Sequence, residues 1–277
     1  MRMGGFLSIM FGSVALASCN STVDIVERGE CVRLLEAMPF ETRTVLNDGG
    51  TSGISSIWLR GDSLSAFNLT SPSSFDEFVI AQSTSKSSSF KGYVRCDKSD
   101  KIVLFYPASN MHTMINHNGK GGVQLTLYNQ DGTLDCISQK YDFCYGKATV
   151  NSTVDMYATA ALGSFKNLMA IYRMTFQRND GTSIGDVVAL TLSSDDLCPT
   201  KNFDIETETF TNAISATELP LRFLYSKSVV YLALFPAEDI EYNVTLETSD
   251  GSYYSAIIPT HTTKSSGYYN MTITTNE

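Results

Sequence analysis

Apolar and polar residues alternate along most of this chain in short runs with a period of two. Residues 168–177 put Leu168, Ala170, Tyr172, Met174 and Phe176 on one face; residues 242–246 alternate in the same way, and residues 268–274 set Tyr269, Met271 and Ile273 on one side. A two-residue period is that of a strand with one face covered. Residues 55–59, 63–68, 90–95, 102–106 and 123–128 are short and rich in aliphatic and aromatic side chains, and residues 229–235 are apolar throughout, as in a strand covered on both faces. Turn chemistry separates them at Asn47-Asp48-Gly49-Gly50, Ser71-Pro72-Ser73-Ser74 and residues 118–122. Asn179-Asp180-Gly181 predicts a hairpin between 168–177 and 184–192, and Ser249-Asp250-Gly251 a second one into 253–258. Regularly spaced strands with few helical periods predict an all-β protein built of antiparallel β-sandwiches. Two sandwiches fit the length, over residues 43–150 and 151–277, with the boundary near Val150.

The first residues carry a different signal. Arg2 precedes an uninterrupted stretch of apolar or small residues over 6–16, too short to remain as a spanning helix. Leu16-Ala17-Ser18-Cys19 resembles a bacterial lipobox, which implies cleavage before Cys19 and acylation of its thiol. The competing reading is ordinary cleavage after Ala15-Leu16-Ala17, which releases an unanchored product. Residues 1–18 are therefore expected to be a signal peptide and 19–42 a lipidated tether. The short apolar patch Val32-Arg33-Leu34-Leu35 within it is expected to form a first strand or helical turn.

Composition narrows the partners. Acidic residues outnumber basic ones by 29 to 20, and removing Arg2 with the signal peptide takes the net charge from −9 to −10. That argues against a nucleic-acid surface, which needs clustered Lys and Arg. Abundant Tyr and Phe, 14 and 15, favour strands. Of six cysteines, assigning Cys19 to lipid leaves Cys31, Cys96, Cys136, Cys144 and Cys198. Cys136 and Cys144 are nearest in sequence and could flank a hairpin loop. An odd number leaves at least one thiol free or paired between molecules, and the connectivity stays open.

Several ordered segments resemble the fimbrillin-like family of type V pilus subunits and accessory lipoproteins. They are Trp58-Leu59-Arg60-Gly61-Asp62 followed by Phe67; Phe90-Lys91-Gly92 with Phe105-Tyr106-Pro107-Ala108-Ser109; and Gln130-Asp131-Gly132-Thr133-Leu134-Asp135 with Tyr141-Asp142-Phe143. Further along are 165–170, Phe235-Pro236-Ala237, Thr248-Ser249-Asp250-Gly251 and Gly267-Tyr268-Tyr269. The resemblance covers most of residues 40–277. It implies two transthyretin-like sandwiches in series and delivery to the cell outer membrane through acylated Cys19. It also implies maturation at an arginine, for which Arg28, Arg33 and Arg43 are the candidates, and assembly with other pilus subunits by strand addition. The sequence stops at Glu277, immediately after the strand expected over 268–274, with no long donor segment after it, which leads to the expectation of a tip, accessory or anchor role in adhesion.

Catalytic and metal chemistry find no constellation. His112, His117 and His261 are scattered, and no zinc ribbon, P-loop, nucleophile elbow or metalloprotease helix is present, so no enzyme activity, metal or cofactor is expected. Asp195-Asp196 and the acids of 206–208 read as solvated loop residues. Arg60-Gly61-Asp62 is a candidate adhesion tripeptide for host or bacterial surface ligands, with an ordinary turn as the plainer reading. Trp58 reads as a core anchor. The five N-x-S/T sequons, from Asn20, Asn68, Asn151, Asn243 and Asn270, carry no meaning behind a bacterial lipobox. A second reading is a glycan- or nutrient-binding surface lipoprotein with Tyr253-Tyr254 and Tyr268-Tyr269 as its platform, one tyrosine of each pair turned inward.

Overall fold

The computed structural model describes residues 31–38, 45–48, 54–72, 77–108 and 122–276. In chain order its first strands are β1 (Val32–Met38), β2 (Val45–Asp48), β3 (Ile54–Ile57), β4 (Ser63–Asn68), β5 (Glu77–Ala81), β6 (Phe90–Arg95), β7 (Lys101–Tyr106) and β8 (Gly122–Thr126). A helical turn at Leu134–Cys136, capped by the Thr133 side chain, runs into a single π turn at Ile137–Tyr141. Strands β9 (Cys144–Val154), β10 (Tyr157–Leu162) and β11 (Lys166–Asn167) follow.

Seven of these strands close into a barrel in the order β10-β1-β6-β5-β4-β7-β9, with β9 pairing back to β10. Trp58, just past β3, fills its interior with no exposure, and its ring meets Phe90, Tyr106 and Phe165 at centroid distances of 5.0, 5.5 and 5.1 Å. Room for four large rings comes from small inward residues on the staves: Ala37, Ala66, Ala81, Ala148, Ala158 and Ala160 are all buried in the same cluster. The Trp58 indole N–H is buried without a hydrogen-bond partner. Gly92 lets β5 and β6 approach closely, since a Cβ there would collide with the Phe78 carbonyl and the Val79 Cα.

β7 is a wall shared between two cores. Ile102, Leu104 and Tyr106 face the barrel interior, while Val103 and Phe105 face a second apolar cluster on the outside. Both faces are covered, which is why the sequence reads as an unbroken apolar run.

The second cluster is built mainly by β12 (Ala170–Gln177), β13 (Val187–Ser193), β14 (Thr200–Asp204), β15 (Thr209–Asn212), β16 (Glu218–Lys227), β17 (Val230–Leu234), β18 (Ile240–Thr248), β19 (Tyr253–His261) and β20 (Tyr268–Thr274). A three-stranded sheet, β17-β12-β20, and a four-stranded one, β16-β13-β18-β19, bury their inward faces in it. A small sheet, β15-β14-β8, brings Val123, Leu125, Phe203 and Phe210 against the barrel wall.

The protein is all-β, with differences from the sequence reading. The first half closes into a barrel where an antiparallel sandwich was expected, and two pairings are parallel, β1 with β10 and β12 with β20. Residue 150 lies inside β9. Within the tether expected over 19–42, the patch that begins at Val32 does form a strand, β1, as its apolar pattern leads one to expect. Asn179-Asp180-Gly181 does turn, with Arg178 N–H donating to the Thr182 carbonyl at 2.7 Å, but only an isolated Gln177–Ser183 bridge follows. Gly185, at φ 94°, lies between this turn and β13, which belongs to the opposite sheet, so the predicted hairpin is a crossover. Ser249-Asp250-Gly251 makes a true hairpin between β18 and β19. Cys136 and Cys144 are separated by helical turns rather than a hairpin loop and lie in different cores, so they do not pair with each other.

Candidate functional site

The feature with most consequence is the seat of β1. Its Leu35 and Ala37 have no exposure and complete the barrel interior. On one side it pairs antiparallel with β6 over six residue pairs, Val32 opposite Arg95 through Ala37 opposite Phe90. On the other it pairs parallel with β10 over five, Leu34 opposite Tyr157 through Met38 opposite Ala161. Without β1, β6 and β10 would each present a row of unpaired N–H and C=O groups beside an apolar trench.

Arg33 fastens the start of this strand. Its Nε donates to the Cys96 carbonyl at 2.9 Å, one terminal nitrogen donates to the Asp155 carbonyl, and the other pairs with Asp97 Oδ1 at 3.0 Å. The guanidinium therefore bridges the end of β6 and the β9–β10 turn, which is further held by Leu34 N–H donating to the Met156 carbonyl at 2.8 Å. Burial pushes the Cys96 thiol up to about 12, against the lowering influence of Arg33. Outside the barrel, Tyr93 and Tyr157 flank Leu34 in one cross-strand row and are 65% and 63% exposed. Phe78 and Ile80 on β5 and Met156 beside β10 extend this exposed apolar surface. Contiguous apolar surface of this kind marks contact faces.

Cys19, Arg28, Arg43, His112 and His117 lie outside the described residues. Arg60-Gly61-Asp62 is a turn between β3 and β4. Asp62 Oδ2 accepts from Leu59 N–H at 2.7 Å, Gly61 has φ 100°, and the Gly61 N–H and Asp62 carbonyl ladder onto Ala81. The Asp62 carboxylate thus serves the turn, while Arg60 and Gly61 are exposed. Of the tyrosine platform, Tyr253 is 70% exposed and Tyr254 is buried. Tyr269 stacks on Tyr172 at 5.2 Å, and its hydroxyl accepts from Lys264 N–H at 2.8 Å, so these tyrosines form no continuous surface. His261 bonds Tyr172 and the Pro259 carbonyl, both at 2.8 Å. No group of residues suited to hold a metal occurs among those described.

Sequence reasoning marked Arg33 only as a cleavage candidate and missed its anchoring role. It also missed β5, β9 and β10. The signal was present in the small alternating residues Ala148, Val150, Ala158 and Ala160, which are inward in the barrel and weakly hydrophobic in a window.

No family model matches the chain, and neither does any curated protein. Solved structures do. A "putative cell adhesion protein" from Bacteroides ovatus is 16% identical, with a TM-score of 0.56 over 88% of this chain and 93% of that one. Another of the same description, from Bacteroides uniformis, is 14% identical, with a TM-score of 0.57 over 88% and 92%. The fimbrial anchor protein Mfa2 from Porphyromonas gingivalis matches at a TM-score of 0.37 and 12% identity over 78% of each chain. The first two share the fold of this chain.

Proposed function

We propose that this chain, sharing the fold of those cell adhesion proteins, is a cell-surface pilus subunit of the tip, accessory or anchor type, acting by assembly and contact rather than turnover. The observation that carries it is the seat of β1, a seven-residue strand whose inward face closes a barrel and whose two edges are both paired. Strand addition needs such a seat, because a partner's extended segment replaces backbone pairing and side-chain packing together. In this reading residues 1–18 are the leader, Cys19 carries outer-membrane lipid, and the chain divides into a barrel unit and a second unit.

The three arginines then have distinct consequences. A cut after Arg28 leaves β1 attached. Arg33 is engaged on three acceptors within the paired strand, a poor protease substrate while the barrel is closed. Arg43 falls between β1 and β2, so cleavage there severs β1 from the barrel it completes. Arg43 is accordingly the proposed maturation site, and the lipid at Cys19 leaves with β1.

Immunogold labelling of intact cells tests the placement: label on the surface or on filaments is expected, and label confined to the cytoplasm or inner membrane refutes it. Arg43→Ala should abolish high-mass assemblies on non-denaturing gels while leaving the lipidated chain at the surface. Assemblies unchanged by this substitution would refute strand release.

A further inference from the structure

The register of β1 on β6 sets two cysteines against each other. Val32 is opposite Arg95, so the next pair outward is Cys31 opposite Cys96, and Cys96 N–H donates to the Cys31 carbonyl at 3.3 Å. The two side chains leave on one face. In β1 the odd positions Leu35 and Ala37 point into the barrel, in β6 the even positions Phe90 and Val94 do, and Cys31 and Cys96 continue those two series. Directly opposed residues of an antiparallel pair have Cα atoms about 4.5–5.5 Å apart. That lies within the roughly 4.4–6.8 Å a disulfide spans. Both are free thiols in this structure.

We propose that Cys31 and Cys96 form a disulfide that staples β1 to β6 and makes retention of the strand depend on redox state. The proposal rests on the exported location and on the strand-release reading for its consequence, but not for its chemistry. Cys31 is the one exposed thiol among the described residues, whereas Cys136, Cys144 and Cys198 are buried along with Cys96. Exposure selects the attacking group. The Cys31 thiolate attacks an external disulfide of the glutathione class, forming a mixed disulfide and expelling one glutathione thiolate. The Cys96 thiolate then attacks the Cys31 sulfur and expels the second. Two protein thiols lose two protons and two electrons, and the external disulfide is reduced to two thiols. Burial disfavours the Cys96 thiolate and Arg33 favours it. With the bond made, a cut after Arg43 opens the chain but cannot release β1. With it reduced, the strand is held by pairing and packing alone.

The test uses the full chain and oxidised glutathione at neutral pH, followed by alkylation under denaturing conditions. Before alkylation the intact mass should fall by about 2 Da, and peptide mapping after it should find one cross-link joining Cys31 to Cys96. Cys31→Ser and Cys96→Ser should each abolish it, while Cys136→Ser leaves it intact. After arginine-specific cleavage following Arg43, release of the peptide bearing β1 should be at least tenfold slower without reductant than with it. A stable glutathione adduct on Cys31, or a Cys31-linked dimer, with Cys96 still fully alkylated, would overturn the proposal. A Cys31–Cys96 cross-link with no release after cleavage and reduction would support the staple and count against strand release.

Discussion

The barrel and the second region deal with sheet edges in opposite ways. The barrel removes them by closure, so each stave shields its two neighbours. The second region keeps its edges and covers or marks them one at a time. On β17, the buried Gln130 amide donates to the Ala233 carbonyl at 2.9 Å and accepts from its N–H at 2.8 Å, and Gly132 accepts from Tyr231. Edge strands β16 and β19 contain Pro220 and Pro259, which lack the N–H that further pairing needs. A closed ring is therefore the more vulnerable design, because losing one stave exposes two edges together. Local plugs fail singly. The apolar contact across β7 joins the regions without making their edges interdependent.

The largest expected effect comes from emptying the ring. Trp58→Ala should cost about 3–5 kcal/mol in urea unfolding. Hydrogen exchange should show β4–β6 losing protection before β18 and β19. Uniform loss of protection would break the contrast between a ring and a plugged sheet. Gln130→Ala should cost about 2–3 kcal/mol, since it leaves a buried N–H and C=O without partners. Its faster exchange should be confined to β17 and its neighbours, and spread into the barrel would again count against the comparison.

A smaller effect is expected at His261. Its Nδ1 faces the Pro259 carbonyl, which can only accept, so Nδ1 carries the proton and Nε2 accepts from Tyr172 Oη at 2.8 Å. Tyr172→Phe should cost about 1 kcal/mol with barrel exchange unchanged.

The smallest effect lies where the β14–β15 turn meets the barrel wall. Glu208 accepts from Lys147 at 2.8 Å and from Lys166 at 2.5 Å, and these hydrogen bonds hold its carboxyl at about 2, against 4.5 ordinarily. A depressed carboxylate contributes stability above its unfolded value and loses it as pH falls towards the folded one. Between about pH 5 and 2, the native chain should therefore lose more stability than Glu208→Gln. The difference should be roughly 0.5–1 kcal/mol and shrink with salt, because the pairs are partly exposed.

Strand identity was legible in sequence for several strands that carry large residues, though not for β5 or β16. The run 102–106 and the alternation of 268–274 became β7 and β20. Closure was not legible. It depends on β9 and β10, whose inward alanines leave room for Trp58 and carry almost no hydrophobic signal, and on a parallel pairing between β1 and β10 that no local turn announces. The same limit hid the candidate site. Arg33 resembles any tether arginine until Cys96, Asp97 and Asp155, distant in sequence, are folded around it. Asn179-Asp180-Gly181 shows the opposite failure, a strong local turn overruled because its flanking strands pack on opposite faces of one core.

The central claim is that β1 is an exchangeable stave. Anisotropy of a labelled peptide with the Val32–Met38 sequence, added under reducing conditions to chain cleaved after Arg43, tests it most directly. The cleaved chain should release its own β1 and capture one labelled peptide per molecule, and a Leu35→Asp peptide should not be captured. Retention of the original strand with no capture, or equal capture of the Leu35→Asp peptide, would contradict the account.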